Sequence, residues 1–168
     1  QARPTSGSTP VMDFATSVVK RLELQPDSLA VDIGSNVGVL LESFRSCGLR
    51  VQGVDPAANI VLIAQRNGVD TICDFFNAET ARSIVAEKGH ASVITGTNVF
   101  AHIDDLNALM RSAKELLDDR GVFIFEAPYF VNLLQKNEYD TIYHEHLSYL
   151  SVKPRVPFFA KHDMVWHW

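Results

Sequence analysis

Short apolar segments alternate with longer amphipathic segments along most of this chain, and this alternation limits the possible folds more than any other feature. The apolar segments have the length of strands, and the longer ones carry apolar residues at helical spacing. Such alternation forms βαβ units, which build a parallel sheet covered by helices on both faces. The sequence therefore predicts an α/β fold with a doubly wound sheet. The predicted strands are residues 29–33, 50–55, 69–73, 91–95 and 121–126, and the predicted helices are residues 11–24, 37–47, 58–67, 78–88 and 103–119.

Glycine and proline mark several expected ends of these elements. A glycine follows four of the predicted helices, at the place where a left-handed C-cap favours this residue. These glycines are Gly48, Gly68, Gly89 and Gly121. Near the end of the chain, Pro157 predicts that no complete helix forms there, because proline lacks an N–H group and its ring clashes with the preceding turn.

Length and charge exclude several classes of protein. The 168 residues suit one domain, predicted as residues 11–168 after a flexible lead-in of residues 1–10. A net charge of −5 argues against a nucleic-acid or anionic-membrane partner, and no apolar run reaches the length of a membrane span. Cys47 and Cys73 have no metal-binding spacing, so we interpret them as free thiols of a reducing compartment, the cytoplasm.

A glycine-containing turn follows the first predicted strand in the segment "VDIGSNVGVLLESF". Gly34 and Gly38 begin and end the turn, at the carboxyl end of a strand where doubly wound sheets bind ligands. Ser35 and Asn36 lie between them, so the GxGxxG pattern of a pyrophosphate site is missing. The turn instead resembles the Asp-x-Gly-x-x-x-Gly loop of methyltransferases, whose cofactor S-adenosylmethionine carries no phosphate. A tight turn without a ligand is the alternative.

Acidic residues follow the second and third predicted strands. Asp55 lies 17 residues after Gly38, where a carboxylate can accept both hydroxyl groups of an adenosine ribose. Asp74 and Phe75 offer a polar group and a ring for the edge and face of an adenine. The alternatives are a helix N-cap for Asp55, and capping with core packing for the other two.

The segment "DTIYHEHLSY", residues 140–149, concentrates groups that can transfer protons. Histidine has an unperturbed pKa near neutrality, so two histidines beside Glu145 can exchange protons at working pH. A half-buried surface strand is the alternative. The spacing of His144 and His146 also suits a metal site, but no third ligand lies nearby in the sequence, so we predict no metal.

Together these segments resemble the S-adenosylmethionine-dependent sugar C-methyltransferases, which act on nucleotide-linked keto-deoxyhexoses. The resemblance covers about residues 11–160 and rests on "VDIGSNVGVLL", "GVDPAANI", "NVFAHIDDL", "VFIFEAPY" and above all "DTIYHEHLSYLS". It implies a class I methyltransferase fold, which is Rossmann-like with a mostly parallel sheet. The donor would be S-adenosylmethionine, and the acceptor would be a sugar carbon next to a ketone, reached through a base-generated enolate.

The resemblance also implies roles for individual residues. His146 would be the base, with Glu145, Tyr143 and His102 on the substrate side. A carboxylate beside an imidazole can orient the ring and raise its basicity. For the cofactor the resemblance implies Asp32, Gly34, Gly38, Asp55 and Asn98. The turn after the first strand and the segment after the third strand add Ser35, Asn36, Asp74 and Phe75 as candidates.

The chain departs from this family at several points. Val37 and Thr97 stand where the family usually has Asp and Asn, and nothing in the given sequence could form the cysteine-rich zinc module of the family. Family members also continue further, so we expect a truncated or minimal member whose sheet lacks its last strands and self-associates through an uncovered edge. A non-catalytic cofactor-binding module and, less well supported by the glycine pattern, a nicotinamide dehydrogenase are the alternative functions. The expected partner is a small nucleotide-sugar.

Overall fold

A computed structural model describes residues 9–97, 99–126 and 152–165. The strands are β1 (Leu29–Ile33), β2 (Arg50–Val54), β3 (Thr71–Ile72), β4 (Ala91–Thr97) and β5 (Leu117–Glu126). The helices are α1 (Pro10–Arg21), α2 (Val39–Ser46), α3 (Ala58–Arg66), α4 (Ala78–Lys88), α5 (Leu106–Leu116) and α6 (Val152–Ala160), with a single 3-10 turn at Phe100–His102. The strands pair in the order β3-β2-β1-β4-β5, and every pair is parallel. The predicted doubly wound α/β fold is confirmed.

The sheet buries both of its faces. Along β1, Val31 and Ile33 pack into the cluster formed by α4 and α5, whereas Ala30 packs into the cluster formed by α1 and α2. Successive side chains of a strand point to opposite faces, so Asp32 lies on the same face as Ala30. The fold thereby directs the one acidic residue of β1 toward the side covered by α1 and α2.

The first helix begins where the sequence provides a cap. The hydroxyl oxygen of Thr9 accepts a hydrogen bond from the Met12 N–H group at 3.3 Å, and Pro10 occupies the first helical position. Ala15 and Val18 are buried against the sheet and α2. These contacts hold α1 against α2 and the sheet.

Three of the four predicted glycine caps are confirmed, and one is wrong. Gly48, Gly68 and Gly89 have φ values of 88°, 77° and 83°. Gly121 instead lies inside β5, because α5 ends at Leu116 and the strand begins immediately afterwards. A Cβ atom at Gly121 would lie 2.9 Å from the carbonyl oxygen of Ala91, so close strand packing explains this glycine.

The prediction that Pro157 prevents a helix is also wrong, because Pro157 lies within α6. A proline inside a helix removes one hydrogen bond and costs about 3 kcal/mol. Aromatic packing offsets this cost: Phe159 is buried, with its ring centroid 5.6 Å from that of Phe125 and 6.4 Å from that of Phe100. Tertiary contacts here outweigh the local propensity.

The described part of the chain was also expected to contain no membrane-spanning helix and no disulfide. None of its helices is long and apolar enough to cross a membrane. Its two cysteines are free, with Cys47 half-buried and Cys73 exposed.

Candidate active site

An open cleft of about 1080 Å³ lies at the carboxyl ends of β1, β4 and β5. This is the edge at which parallel α/β sheets bind ligands, where the strand order reverses between β1 and β4. Residues from α1 and the start of α2 form the opposite wall. The lining residues are Pro10, Val11, Phe14, Asp32, Gly34, Ser35, Asn36, Val37, Val39, Leu40, Thr95, Thr97, Ile124, Phe125 and Glu126.

The pairing of the strands arranges residues that line the cleft in two rows across the sheet. Asp32 pairs with Thr95, which in turn pairs with Ile124 in the neighbouring strand. Thr97 and Glu126 form the next pair, two residues further toward the cleft. Because paired residues of parallel strands lie on the same face, all of these side chains belong to the face covered by α1 and α2.

Asp32 is a buried carboxyl group at the floor of the cleft, only 5 % exposed. The Thr95 hydroxyl donates a hydrogen bond to its Oδ1 atom at 2.6 Å. Burial raises the pKa of Asp32 to about 7; the Thr95 hydrogen bond opposes this, and the nearby negative charge of Asp55 adds to it. Asp32 is therefore poised between its neutral and ionised forms at neutral pH.

The loop after β1 depends on its two glycines. Gly34 has φ +68°, and a Cβ atom there would lie 2.8 Å from Cγ2 of Val99. Gly38 has φ +88°, and its Cβ atom would lie 2.9 Å from Val69. Both residues therefore need the absence of a side chain as well as the left-handed backbone. This accounts for the Gly-x-x-x-Gly spacing of the sequence.

Asp55 fastens this loop to the neighbouring strand. Its Oδ2 atom accepts a hydrogen bond from the Asn36 N–H group at 3.0 Å, and its Oδ1 atom accepts one from the Ala57 N–H group at 2.9 Å. Asn36 has φ 51°, a left-handed conformation that this contact helps to hold. The N-cap of α3 is Ala57 and has no side-chain cap, so the alternative that Asp55 is the helix cap is wrong, and the contact of Oδ1 is a local turn before the helix. Each oxygen retains a second lone pair with which it could accept a ligand hydroxyl.

Ser35 supplies a test of whether the cleft suits a polar ligand. Its side chain is 4 % exposed, and within the described residues its Oγ atom has no hydrogen-bond partner. Buried hydroxyl groups almost always have a partner. The loop, the buried carboxyl group and this hydroxyl together fit a polar cofactor at the carboxyl end of β1.

The other predicted site residues fall in different places. Asp74 and Phe75 lie after β3 and do not line the cleft; Oδ1 of Asp74 accepts a hydrogen bond from the Phe75 N–H group at 2.7 Å, and the Phe75 side chain is 70 % exposed. His102 is exposed in the 3-10 turn after β4. Four predicted site residues lie outside the described residues: Asn98, Tyr143, Glu145 and His146.

Sequence reasoning assigned no role to several residues that line the cleft. Val11 and Phe14 of α1 form part of the apolar wall, and Glu126 lies at the tip of β5. The sequence predicted the helix on which Val11 and Phe14 lie three residues apart. It did not predict which part of the molecule this helix packs against. Glu126 is an acidic residue at the carboxyl end of an apolar strand segment, which is the same signal that identified Asp55.

Comparisons with known proteins agree with this geometry. A model of the family described as "Methyltransferase domain" matches residues 12–153. C-methyltransferase NovU from Streptomyces niveus is 42 % identical over 87 % of this chain, and the ubiquinone biosynthesis O-methyltransferase of Methylobacterium sp. strain 4-46 is 30 % identical over 67 %. The solved structure of an S-adenosylmethionine-dependent methyltransferase from Clostridium acetobutylicum has a TM-score of 0.60 and 18 % identity; the match covers 78 % of this chain and 55 % of that one.

The fold is that of the class I methyltransferases, as predicted. The chain belongs to the methyltransferase-domain family, and the similarity to NovU confirms the predicted resemblance to C-methyltransferases. The methyl donor of this family is S-adenosylmethionine, so the predicted cofactor is confirmed. The chain spans 35 % of the length of NovU and 47 % of the length of the Methylobacterium enzyme.

Asp55→Ala tests the acidic residue after β2. We expect the variant to fold but to bind S-adenosylhomocysteine at least tenfold more weakly, because it loses a ligand acceptor and the contact that holds Asn36. Each lost charge-assisted hydrogen bond is worth about 1.5–3 kcal/mol. Isothermal calorimetry measures the affinity, and urea unfolding verifies that the variant is folded. Unchanged affinity in a folded variant would limit Asp55 to its structural contacts with Asn36 and Ala57.

Proposed function

We propose that this chain is the cofactor-binding part of a C-methyltransferase that methylates a carbon next to a ketone in a nucleotide-linked deoxysugar. The observation that carries the proposal is the 42 % identity to C-methyltransferase NovU over 87 % of the chain. The sugar substrate rests on the resemblance of "DTIYHEHLSY" to sugar C-methyltransferases. We place the reaction in the cytoplasm, as the free cysteines suggest.

Residues of the described cleft would hold the cofactor, together with Asp55, which does not line the cleft but bonds to Asn36 of its lining. The loop at Gly34–Gly38 would cradle its amino-acid part, Asp32 would face its positive charges, and Asp55 would accept the ribose hydroxyl groups. When bound, the cofactor supplies an electrophilic methyl group. Val11 and Phe14 would cover it from the side of α1 and exclude water. Excluding water strengthens every electrostatic interaction inside such a site.

The substrate chemistry requires a base, and His146 is our candidate. A proton on a carbon next to a ketone is weakly acidic, so a positioned base is worth on the order of 10² to 10⁴ in rate. Glu145 would orient the imidazole ring. Tyr143 and His102 are the candidates to donate a hydrogen bond to the developing enolate oxygen.

The charges of the cleft constrain where the nucleotide binds. Among the described residues that line the cleft, none is lysine, arginine or histidine. A nucleotide diphosphate needs cationic or N–H donors, so its phosphates would contact residues outside this lining.

Self-association through β5, which ends the described sheet, is a separate prediction, and sedimentation tests it.

Ligand-dependent stability tests the cofactor assignment. S-adenosylhomocysteine should raise the melting temperature, because a ligand that binds only the folded state stabilises it by about 2.7 kcal/mol at a hundred times its Kd. NAD at the same concentration is the control and should have no effect, since the loop lacks the pyrophosphate pattern. Stabilisation by NAD alone would contradict the methyltransferase function.

A non-catalytic cofactor-binding module is a second candidate. Val37 and Thr97 both line the cleft, at positions where the sugar C-methyltransferases usually have Asp and Asn. Val37 brings no polar group to the wall of the site, and Thr97 brings a hydroxyl group in place of an amide. A chain that binds S-adenosylhomocysteine but never exchanges a substrate proton would match this candidate.

A further inference from the structure

Every charged residue that lines the described cleft is acidic. Asp32 lies at its floor and Glu126 at the tip of β5, and no basic side chain lines it. The ion pairs within the described residues involve neither of these carboxyl groups. The cleft therefore carries negative charge that the described side chains do not neutralise.

The sheet register fixes how far apart the two carboxyl groups lie. Glu126 is separated from Asp32 by two strand spacings of about 4.8 Å and by two residues of about 3.3 Å along the strand, so their Cα atoms lie roughly 12 Å apart. Both side chains belong to the face covered by α1 and α2. A cation bound between the two carboxyl groups would lie closer to each of them than the Debye length, which is about 8 Å at physiological ionic strength. Salt would therefore screen the attraction between the cation and the carboxyl groups only in part.

We propose that Glu126, together with Asp32, makes this cleft select the cationic methyl donor over the neutral product. This inference rests on the proposed cofactor site and extends it to a residue outside the glycine loop. S-adenosylmethionine carries a sulfonium charge, and S-adenosylhomocysteine has an uncharged thioether in its place; the two molecules otherwise differ by one methyl group. The acidic lining therefore attracts the donor more than the product and favours product release after transfer.

The surroundings of Asp32 and Glu126 predict different contributions. Asp32 is buried, where attraction between charges is weakly screened, whereas Glu126 is exposed at the strand tip. The raised pKa of Asp32 agrees with a carboxyl group that has no positive partner, because a bound cation would favour its ionised form. Neutralising Asp32 should thus have the larger effect on the preference for the donor.

The test measures the ratio of the Kd for S-adenosylhomocysteine to the Kd for S-adenosylmethionine by calorimetry. Glu126→Gln should lower this ratio by about three- to tenfold and Asp32→Asn by about tenfold or more, mainly through weaker binding of S-adenosylmethionine. Asp119→Asn is the matched control, because it removes one charge from an exposed residue near the other end of the same strand. Added salt should lower the ratio in the parent chain and have little effect when both residues are neutral.

Other results would contradict either the charge selection or the proposed function. A ratio that neither variant changes, or affinities for both ligands that fall equally, would overturn the charge selection while leaving the cofactor site in place. An equal change in Asp119→Asn would assign the effect to net charge and overturn it too. A parent chain that binds neither ligand would contradict the proposed function itself.

Discussion

At pH 8, Asp32→Asn should raise the free energy of unfolding by roughly 2–4 kcal/mol, because it removes a carboxylate that the fold buries. Burial raises the pKa of Asp32 from 3.8 to about 7, so the folded state holds this proton more tightly than the unfolded state does. Between about pH 4 and pH 7 the parent chain therefore loses stability as the pH rises. Asparagine keeps the shape and an oxygen that can accept the Thr95 hydroxyl.

Urea unfolding at a series of pH values measures this effect. The difference in stability between the two chains should be largest above pH 7 and should shrink as the pH falls toward 4, where Asp32 is neutral in the parent. Asp119→Asn is again the control, since Asp119 is exposed and should leave the pH dependence unchanged. Parallel curves for all three chains would show that Asp32 has an ordinary pKa.

A residue that destabilises the empty domain is informative about function. Proteins tolerate a buried, unpaired carboxyl group where it contributes to binding or chemistry, and its replacement commonly gains stability at the expense of activity. Asp32 lines the cleft at the carboxyl end of β1. We therefore expect Asp32→Asn to be more stable and to bind the methyl donor more weakly, a combination that a purely structural residue would not give.

Much of the fold could be predicted from sequence because its signals are local. β1 and α4 match their predicted limits, since a strand-length segment with four apolar residues defines β1 and the side-chain cap of Asn77 marks the start of α4, both without tertiary information. The errors at Gly121 and Pro157 have the opposite origin. Gly121 is required by its approach to Ala91, and α6 is favoured by packing around Phe159. Neither contact can be found from neighbouring residues.

The site was predictable where chemistry and strand ends coincide in sequence. Gly34 and Asp55 come directly after strands, so parallel topology alone brings them to one edge of the sheet. The wall from α1 was not predictable, because no local signal reveals that Val11 and Phe14 face the glycine loop. The hydrogen bond from the Asn36 N–H group to Asp55 was missed for a similar reason: it depends on the conformation of the loop.

His146→Asn should reduce proton exchange at the sugar carbon by about 10² to 10⁴, if His146 is the base that we propose. Asparagine keeps hydrogen-bonding capacity and approximate size but cannot accept the proton at neutral pH. The substitution should leave the affinity for S-adenosylhomocysteine unchanged, because the proposed cofactor residues of the cleft are retained. Glu145→Gln should be milder, since it would disturb the orientation of the imidazole and keep its basicity.

The entry of solvent deuterium into a keto-sugar nucleotide measures enolisation directly. S-adenosylhomocysteine is added to fill the cofactor site, so that no methyl transfer competes with exchange. Exchange in the parent chain and its loss in His146→Asn would support the enolate mechanism, and exchange that survives in His146→Asn would assign the base to another residue, with His102 as the next candidate. No exchange in a parent chain that binds the cofactor would favour the non-catalytic module. Mass spectrometry of the recovered nucleotide sugar distinguishes these results because each exchanged proton adds one mass unit.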